Sequence, residues 1–177
     1  MTEERHGFAG VLRASGGLGG ARSPPCTDLQ TLSHCVTAEC AVPARRAYAF
    51  LSDGLAVGRW ALGSFAARRV GRNLFRGRSL FDGSAVLYRP VGDAARLIVD
   101  YHVGTTPGGL RPRVMARVVP GEATGRDKGS CLVTLVAWRD ASMSQARWER
   151  LVACHEVEIR LVQALLAGER AAERKGS

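Results

Sequence analysis

The sequence predicts an α+β domain in which a meandering antiparallel sheet is covered by one long C-terminal helix. Three observations carry this. Between Phe65 and Arg139, short apolar stretches are separated by turn clusters, "DGS", "VGD", "GTTPGGL" and "PGEATGRDKG", and strands joined by short connections pair antiparallel. The segment "ASMSQARWERLVACHEVEIRLVQALLAGER" keeps a helical period, with Trp148, Leu151, Val152, His155, Ile159, Val162 and Leu166 on one stripe. Ahead of the sheet, one alternating stretch is followed by two short helical patterns.

Taken in order, residues 1–33 include "SGGLGGARSPP", without sustained apolar periodicity, and are expected to be a flexible tail or an over-extended start. "GGLGG" has neither the spacing nor the flanking strand and helix of a dinucleotide fingerprint. The domain is expected over residues 34–168. It opens at "HCVTAECAVP", where Val36, Ala38, Cys40 and Val42 alternate with the other set as in a strand. Pro43 suits a first helical turn, and "PARRAYAFLSD" puts Ala47, Phe50 and Leu51 on one face. A second short helix is expected around "LAVGRWA". The strands follow as "FAARRV", "NLFRGRSLF", "AVLYRPV", "ARLIVDYHV", "RPRVMARVVP" and "SCLVTLVAWRD". Asp82 to Ser84 is a tight-turn signal. Ser142 or Ser144 is expected to cap the long helix and Gly168 to end it, leaving 169–177 as a short charged tail.

Composition limits the function classes. A chain of 177 residues with 46% apolar and 23% charged residues is ordinary for one globular domain. No apolar run approaches the ~18 residues that span a bilayer, and "MTEERHGFAG" lacks the basic and apolar regions of a signal peptide. The expectation is a cytoplasmic protein, without stable membrane insertion, monomeric or homodimeric. The net charge of +9 raises nucleic acid as a partner. However, arginine supplies nearly all of it, the lysines are Lys128 and Lys175 alone, and the densest run, Arg68 to Arg78, straddles two strands. That pattern reads as a solvated sheet face, so no nucleic-acid partner is expected. The five cysteines are odd in number and show no ligand spacing, which reads as buried reduced thiols. Cys35 and Cys40 fall on opposite faces of one strand.

The order of strand, two short helices, antiparallel strands and long terminal helix resembles the helix-grip fold of the START/Bet v 1-like superfamily (SRPBCC, polyketide cyclase/dehydrase-like). The features that carry it are "VPARRAYAFLSD" with Trp60 following, and "HEVEIRLVQALL" in the terminal helix, over about residues 35 to 167. The resemblance implies a curved sheet wrapped around the helix, with an apolar cavity between them that holds a lipid, polyketide or aromatic molecule. It leaves three functions open: ligand binding, a cyclase or dehydratase acting in the cavity, and a co-chaperone-like module related to the Hsp90 activator domain. Fold alone does not choose among them.

Two polar pairs compete as site candidates. In "LIVDYHVG", Leu97, Val99, Tyr101 and Val103 form the inward set, so Asp100 and His102 belong to the wet face with Ile98. Parity likewise sends Val114, Ala116 and Val118 inward and Arg113 and Arg117 outward, where either arginine is a cross-strand partner for Asp100. His155, mid-stripe on the helix, and inward-facing Tyr101 are instead expected to meet and to share a hydrogen bond. The expected ligand contacts are Tyr101, His155, Trp60, Leu151 and Ile159, with no catalytic residue assigned and no cofactor. No GxSxG, P-loop, HExxH or EF-hand pattern occurs. In "CHEVE", Glu156 and Glu158 are expected to point away from His155, so no metal is expected there.

Overall fold

The computed structural model of the chain describes residues 32–176. The elements are β1 (Ser33–Cys40), α1 (Ala44–Ser52), α2 (Gly54–Trp60), β2 (Phe65–Gly71), β3 (Leu74–Arg78), β4 (Ala85–Asp93), β5 (Ile98–Gly104), β6 (Arg111–Pro120), β7 (Cys131–Trp138) and α3 (Gln145–Gly176). The strands form one seven-stranded antiparallel sheet in the order β1-β7-β6-β5-β4-β3-β2. The sheet is thus a simple meander whose last strand picks up the first, β1, at its edge. The curved sheet and its long helix make the helix-grip architecture that the sequence predicts.

Local chemistry sets the breaks. Pro43 stands at the N-cap of α1. Asp53 is extended, and its side chain accepts the Leu55 N–H at 2.9 Å, so α1 stops and α2 is capped by one residue. Ser144 Oγ accepts the Arg147 N–H at 3.3 Å and caps α3. Gly83, in the tight turn, has a φ of 70°, where a side chain would be strained.

Gly168 does not end α3. It is exposed, is absent from the glycines with positive φ, and the helix continues to Gly176. The flanking Ala, Glu and Arg residues are good helix formers, and one interior glycine costs only about 1 kcal/mol. The helix therefore runs through the expected charged tail, and Glu169 pairs with Arg59 of α2 at 2.7 Å. At the other end, the tail expected over 1–33 lies outside the described residues as far as residue 31. Leu32 O already accepts the Arg139 N–H at 2.8 Å, and Ser33 is opposite Trp138 in the β1–β7 ladder.

The core lies between the concave sheet face and the three helices. Strand β7 contributes Cys131, Val133, Leu135 and Ala137, all fully buried, and β6 adds Ala116 and Val118. Ile159, Val162 and Leu166 of α3 join that core, where the helix packs on β1. Cys35 is exposed and Cys40 buried, as parity requires, and Cys40 faces Cys131 across the β1–β7 ladder. The arginines from Arg68 to Arg78 are exposed. No helix of the described residues is long and apolar enough to cross a membrane.

Candidate functional site

Where the N-terminal half of α3 passes over β4, β5 and β6, the packing leaves a cavity of about 190 Å³. Its walls come from Val57 and Trp60 of α2, Val86 and Tyr88 of β4, Tyr101 and Val103 of β5, and Ala137 of β7. Leu151, Cys154, His155 and Glu158 of α3 close it, and Phe81, Met143 and Arg147 stand at its more exposed end.

Strand β6 contributes two consecutive residues, Arg113 and Val114. The β5–β6 register explains this: Tyr101 is opposite Val114 but His102 is opposite Pro112, so Arg113 is the extra residue of a β-bulge. The outward placement expected for Arg113 is therefore wrong, because the bulge resets parity and turns it to the cavity. Its guanidinium pairs with Asp140, not with Asp100. Asp100 stands opposite Met115, and Arg117 opposite Ile98.

Asp100 and His102 themselves lie on the convex face, half-buried, while Val99 and Tyr101 are buried on the other. Parity held there because the bulge lies on the neighbouring strand.

Four of the five expected ligand contacts, Trp60, Tyr101, Leu151 and His155, line the cavity together. Ile159 is packed into the core and is not among the lining residues. The expected Tyr101–His155 hydrogen bond is absent. Tyr101 Oη donates to Leu51 O at 2.8 Å, and its neighbour Tyr88 does the same to Gly54 O at 2.6 Å. Both hydroxyls hold backbone carbonyls of the short helices, and burial pushes both phenols above their ordinary range. Tyr101 also meets Trp60 edge-on, with ring centroids 5.7 Å apart.

His155, only 1% exposed, is bonded elsewhere. Its Nδ1 is 3.0 Å from His34 Nδ1, and the two rings share one hydrogen. Burial, with His34 as a second cause, pulls the His155 imidazole down to about 4. His34 was legible: it shares the parity of Val36, Ala38 and Cys40 on β1, which places it on the inner face. Glu158 was legible too. It follows His155 by three positions and Leu151 by seven, so it belongs to the same helical stripe. The expectation that it points away is incorrect. Its carboxylate accepts the Leu62 N–H at 2.7 Å, and burial still pushes it up to about 7.

Two buried nitrogens of this lining, Trp60 Nε1 and His155 Nε2, have no hydrogen-bond partner among the described residues. Leaving such a group unpaired costs about 1–3 kcal/mol each. Arg113 and Arg147, by contrast, are paired with Asp140 and Asp82. The site is a mostly apolar chamber with two unpaired nitrogens and one half-buried carboxyl group.

No protein-family model matches the sequence, and no curated protein matches it. Solved structures do match in shape. The Zhui aromatase/cyclase from Streptomyces sp. R1128 is 19% identical, with a TM-score of 0.55 over 82% of this chain and 95% of its own. A START superfamily protein from Mycobacterium smegmatis is 11% identical, with a TM-score of 0.57 over 77% of this chain and 98% of its own. XoxI from Bacillus cereus is also 11% identical, with a TM-score of 0.59 over 77% and 96% of the two chains. At these identities the likeness concerns the fold, and the fold is the START/Bet v 1-like (SRPBCC) helix-grip.

Proposed function

We propose that the chain binds an apolar small molecule bearing a carbonyl or hydroxyl oxygen, in the cavity between the sheet and α3. The observation that carries this is the pair of unpartnered nitrogens, Trp60 Nε1 and His155 Nε2, in walls that are otherwise mostly aliphatic or aromatic. An apolar pocket with a few convergent polar groups is the usual anatomy of a small-molecule site. A ligand hydroxyl accepts from the Trp60 Nε1–H or donates to a bare His155 Nε2, and a carbonyl oxygen accepts from the Trp60 Nε1–H, so either relieves part of the cost of leaving these nitrogens unpaired. An apolar cavity of about 150 Å³ holds benzene, so a space of about 190 Å³ suits a one- or two-ring molecule or an aliphatic one of equal bulk.

Trp60, Tyr101, Leu151 and His155 are the proposed contacts, with Ile159 supporting the wall from behind. Phe81 and Arg147 border the way in, and the Arg147–Asp82 pair, 3.8 Å apart, ties the turn before β4 to the start of α3. A catalytic reading in the same cavity is favoured by one observation, the half-buried Glu158 carboxyl on the cavity wall, which desolvation pushes up to about 7.

Native mass spectrometry of freshly purified protein tests the binding. A retained neutral adduct of small-ring mass, lost on denaturation, is the expected result. A chain that carries no adduct and takes up no apolar ketone or alcohol from a panel would overturn the proposal.

A further inference from the structure

His34 and His155 link the protein surface to the cavity ring to ring. His34 Nε2 lies 3.7 Å from the carboxylate of Glu156, which is 65% exposed. On its other side, His34 Nδ1 lies 3.0 Å from His155 Nδ1. A carboxylate only accepts, so it favours a hydrogen on His34 Nε2. A neutral His34 then carries a lone pair on Nδ1, and His155 Nδ1 must be the donor across the contact. That leaves His155 Nε2 bare. It is the buried atom without a partner, on a ring that lines the cavity. Such an atom is a base.

Burial opposes a positive charge on His155, and the neighbouring ring offers a way round. When a proton arrives at Nε2, the shared hydrogen crosses from His155 Nδ1 to His34 Nδ1. The positive charge then rests on His34, whose side chain is 20% exposed and faces Glu156. Glu158, one helical turn from His155, is held by the Leu62 N–H at 2.7 Å and keeps its proton into the neutral range because it is buried. An acid and a base whose surroundings push them in opposite directions mark divided acid–base work. The other titratable or charged groups lining the cavity are Tyr88, Tyr101, Arg113, Arg147 and Cys154. The tyrosines donate to backbone carbonyls and the arginines are paired.

We propose that Glu156, His34 and His155 form a proton relay, and that His155 Nε2, with Glu158 as acid partner, enolises a ketone held in the cavity. The inference rests on the binding reading above and adds chemistry to it. In the step, His155 Nε2 takes a proton from the carbon next to the carbonyl. The C–H electron pair becomes the new C=C bond, the carbonyl π pair moves onto oxygen, and that oxygen takes the proton of Glu158. Once the enol has left, the shared hydrogen returns from His34 to His155 Nδ1, His155 Nε2 gives its proton to water in the emptied cavity and Glu158 takes one up, so the enzyme returns to its starting tautomers with no net proton change.

The test uses the full chain and 2-tetralone, a two-ring ketone with exchangeable α-hydrogens. Calorimetry measures binding, and proton NMR in heavy water measures α-hydrogen exchange. The expected result is binding, with exchange about 10²-fold or more above buffer. Measured at saturating tetralone, so that occupancy is equal, His155→Leu and Glu158→Gln should each lower that rate at least about tenfold. His34→Gln should lower the rate and flatten its pH profile, which a merely structural histidine would not do. Nitrogen-15 NMR of the unmodified protein supplies a readout independent of any variant: His155 should carry its hydrogen on Nδ1 with Nε2 bare. A hydrogen on Nε2 at neutral pH overturns the relay. So does tetralone that binds yet exchanges at the buffer rate, an outcome that leaves the binding reading intact. Failure to bind any ketone overturns the relay's chemistry, and failure to bind any ketone or alcohol overturns the binding reading as well.

Discussion

Replacing Tyr101 with Phe removes one oxygen and leaves the ring in place against Trp60. The lost hydroxyl donates to Leu51 O at 2.8 Å inside the core. Leu51 lies in the last turn of α1, where helical carbonyls have no intrahelical donor, so the substitution leaves a buried acceptor unpaired. The penalty is about 1–3 kcal/mol. For a domain of this size it lowers the melting temperature by about 3–9 °C. Calorimetric melting of Tyr101→Phe, His155→Leu and the double variant measures it. Because Tyr101 holds α1 while His155 is bonded to His34, the two losses should add to within about 0.5 kcal/mol. A double variant that recovers most of the single losses would show that the two side chains depend on each other after all, and the assigned partners would be wrong.

Further predictions concern titration and packing. Glu158 is raised from 4.5 to about 7; the folded state therefore binds more protons between those values, and its share of stability, about 3 kcal/mol, is lost as pH rises through that window. His155 is lowered from 6.5 to about 4; the folded state binds fewer protons there, and stability rises with pH by a similar ~3 kcal/mol. The two slopes oppose each other, so urea unfolding of the unmodified protein should vary little from pH 4.5 to 6.5. Glu158→Gln should show a rising slope and His155→Leu a falling one; parallel slopes in the two variants would contradict the burial of one of these groups. Gly77→Ala should destabilise by about 1–3 kcal/mol or prevent folding, because its Cβ would collide with the backbone carbonyl of Ser64; an unchanged melting temperature would refute that close approach. Asp100→Asn and His102→Gln should each shift stability by no more than about 0.5 kcal/mol and leave ligand binding unchanged, as titration of the variants would show.

The strands and helices were legible because each has one buried face, and a period of two or of 3.6 records which face that is. Val133, Leu135 and Ala137 on β7 and Ala47, Phe50 and Leu51 on α1 follow this rule residue by residue. Arg113 was not legible, because a bulge leaves no mark on the alternation until the partner register is known. The end of α3 was misread because glycine permits a stop but does not impose one, and here no left-handed residue follows. At the site, period identified the inward residues but not their partners. Tyr101 and His155 do line one cavity, yet each bonds a group from another element, Leu51 in one case and His34 in the other. Such pairings depend on how β1 and the short helices dock, which no single segment encodes.

Filling the cavity tests its role most directly. Ala137 is fully buried on β7 and lines the chamber, so Ala137→Phe places a ring where the ligand is proposed to sit. Calorimetric titration of 2-tetralone into the unmodified protein and into Ala137→Phe, each first shown to melt cooperatively, should give saturable binding to the first and none to the second. Equal binding to both would contradict the account, since the ligand would then occupy some surface other than this cavity.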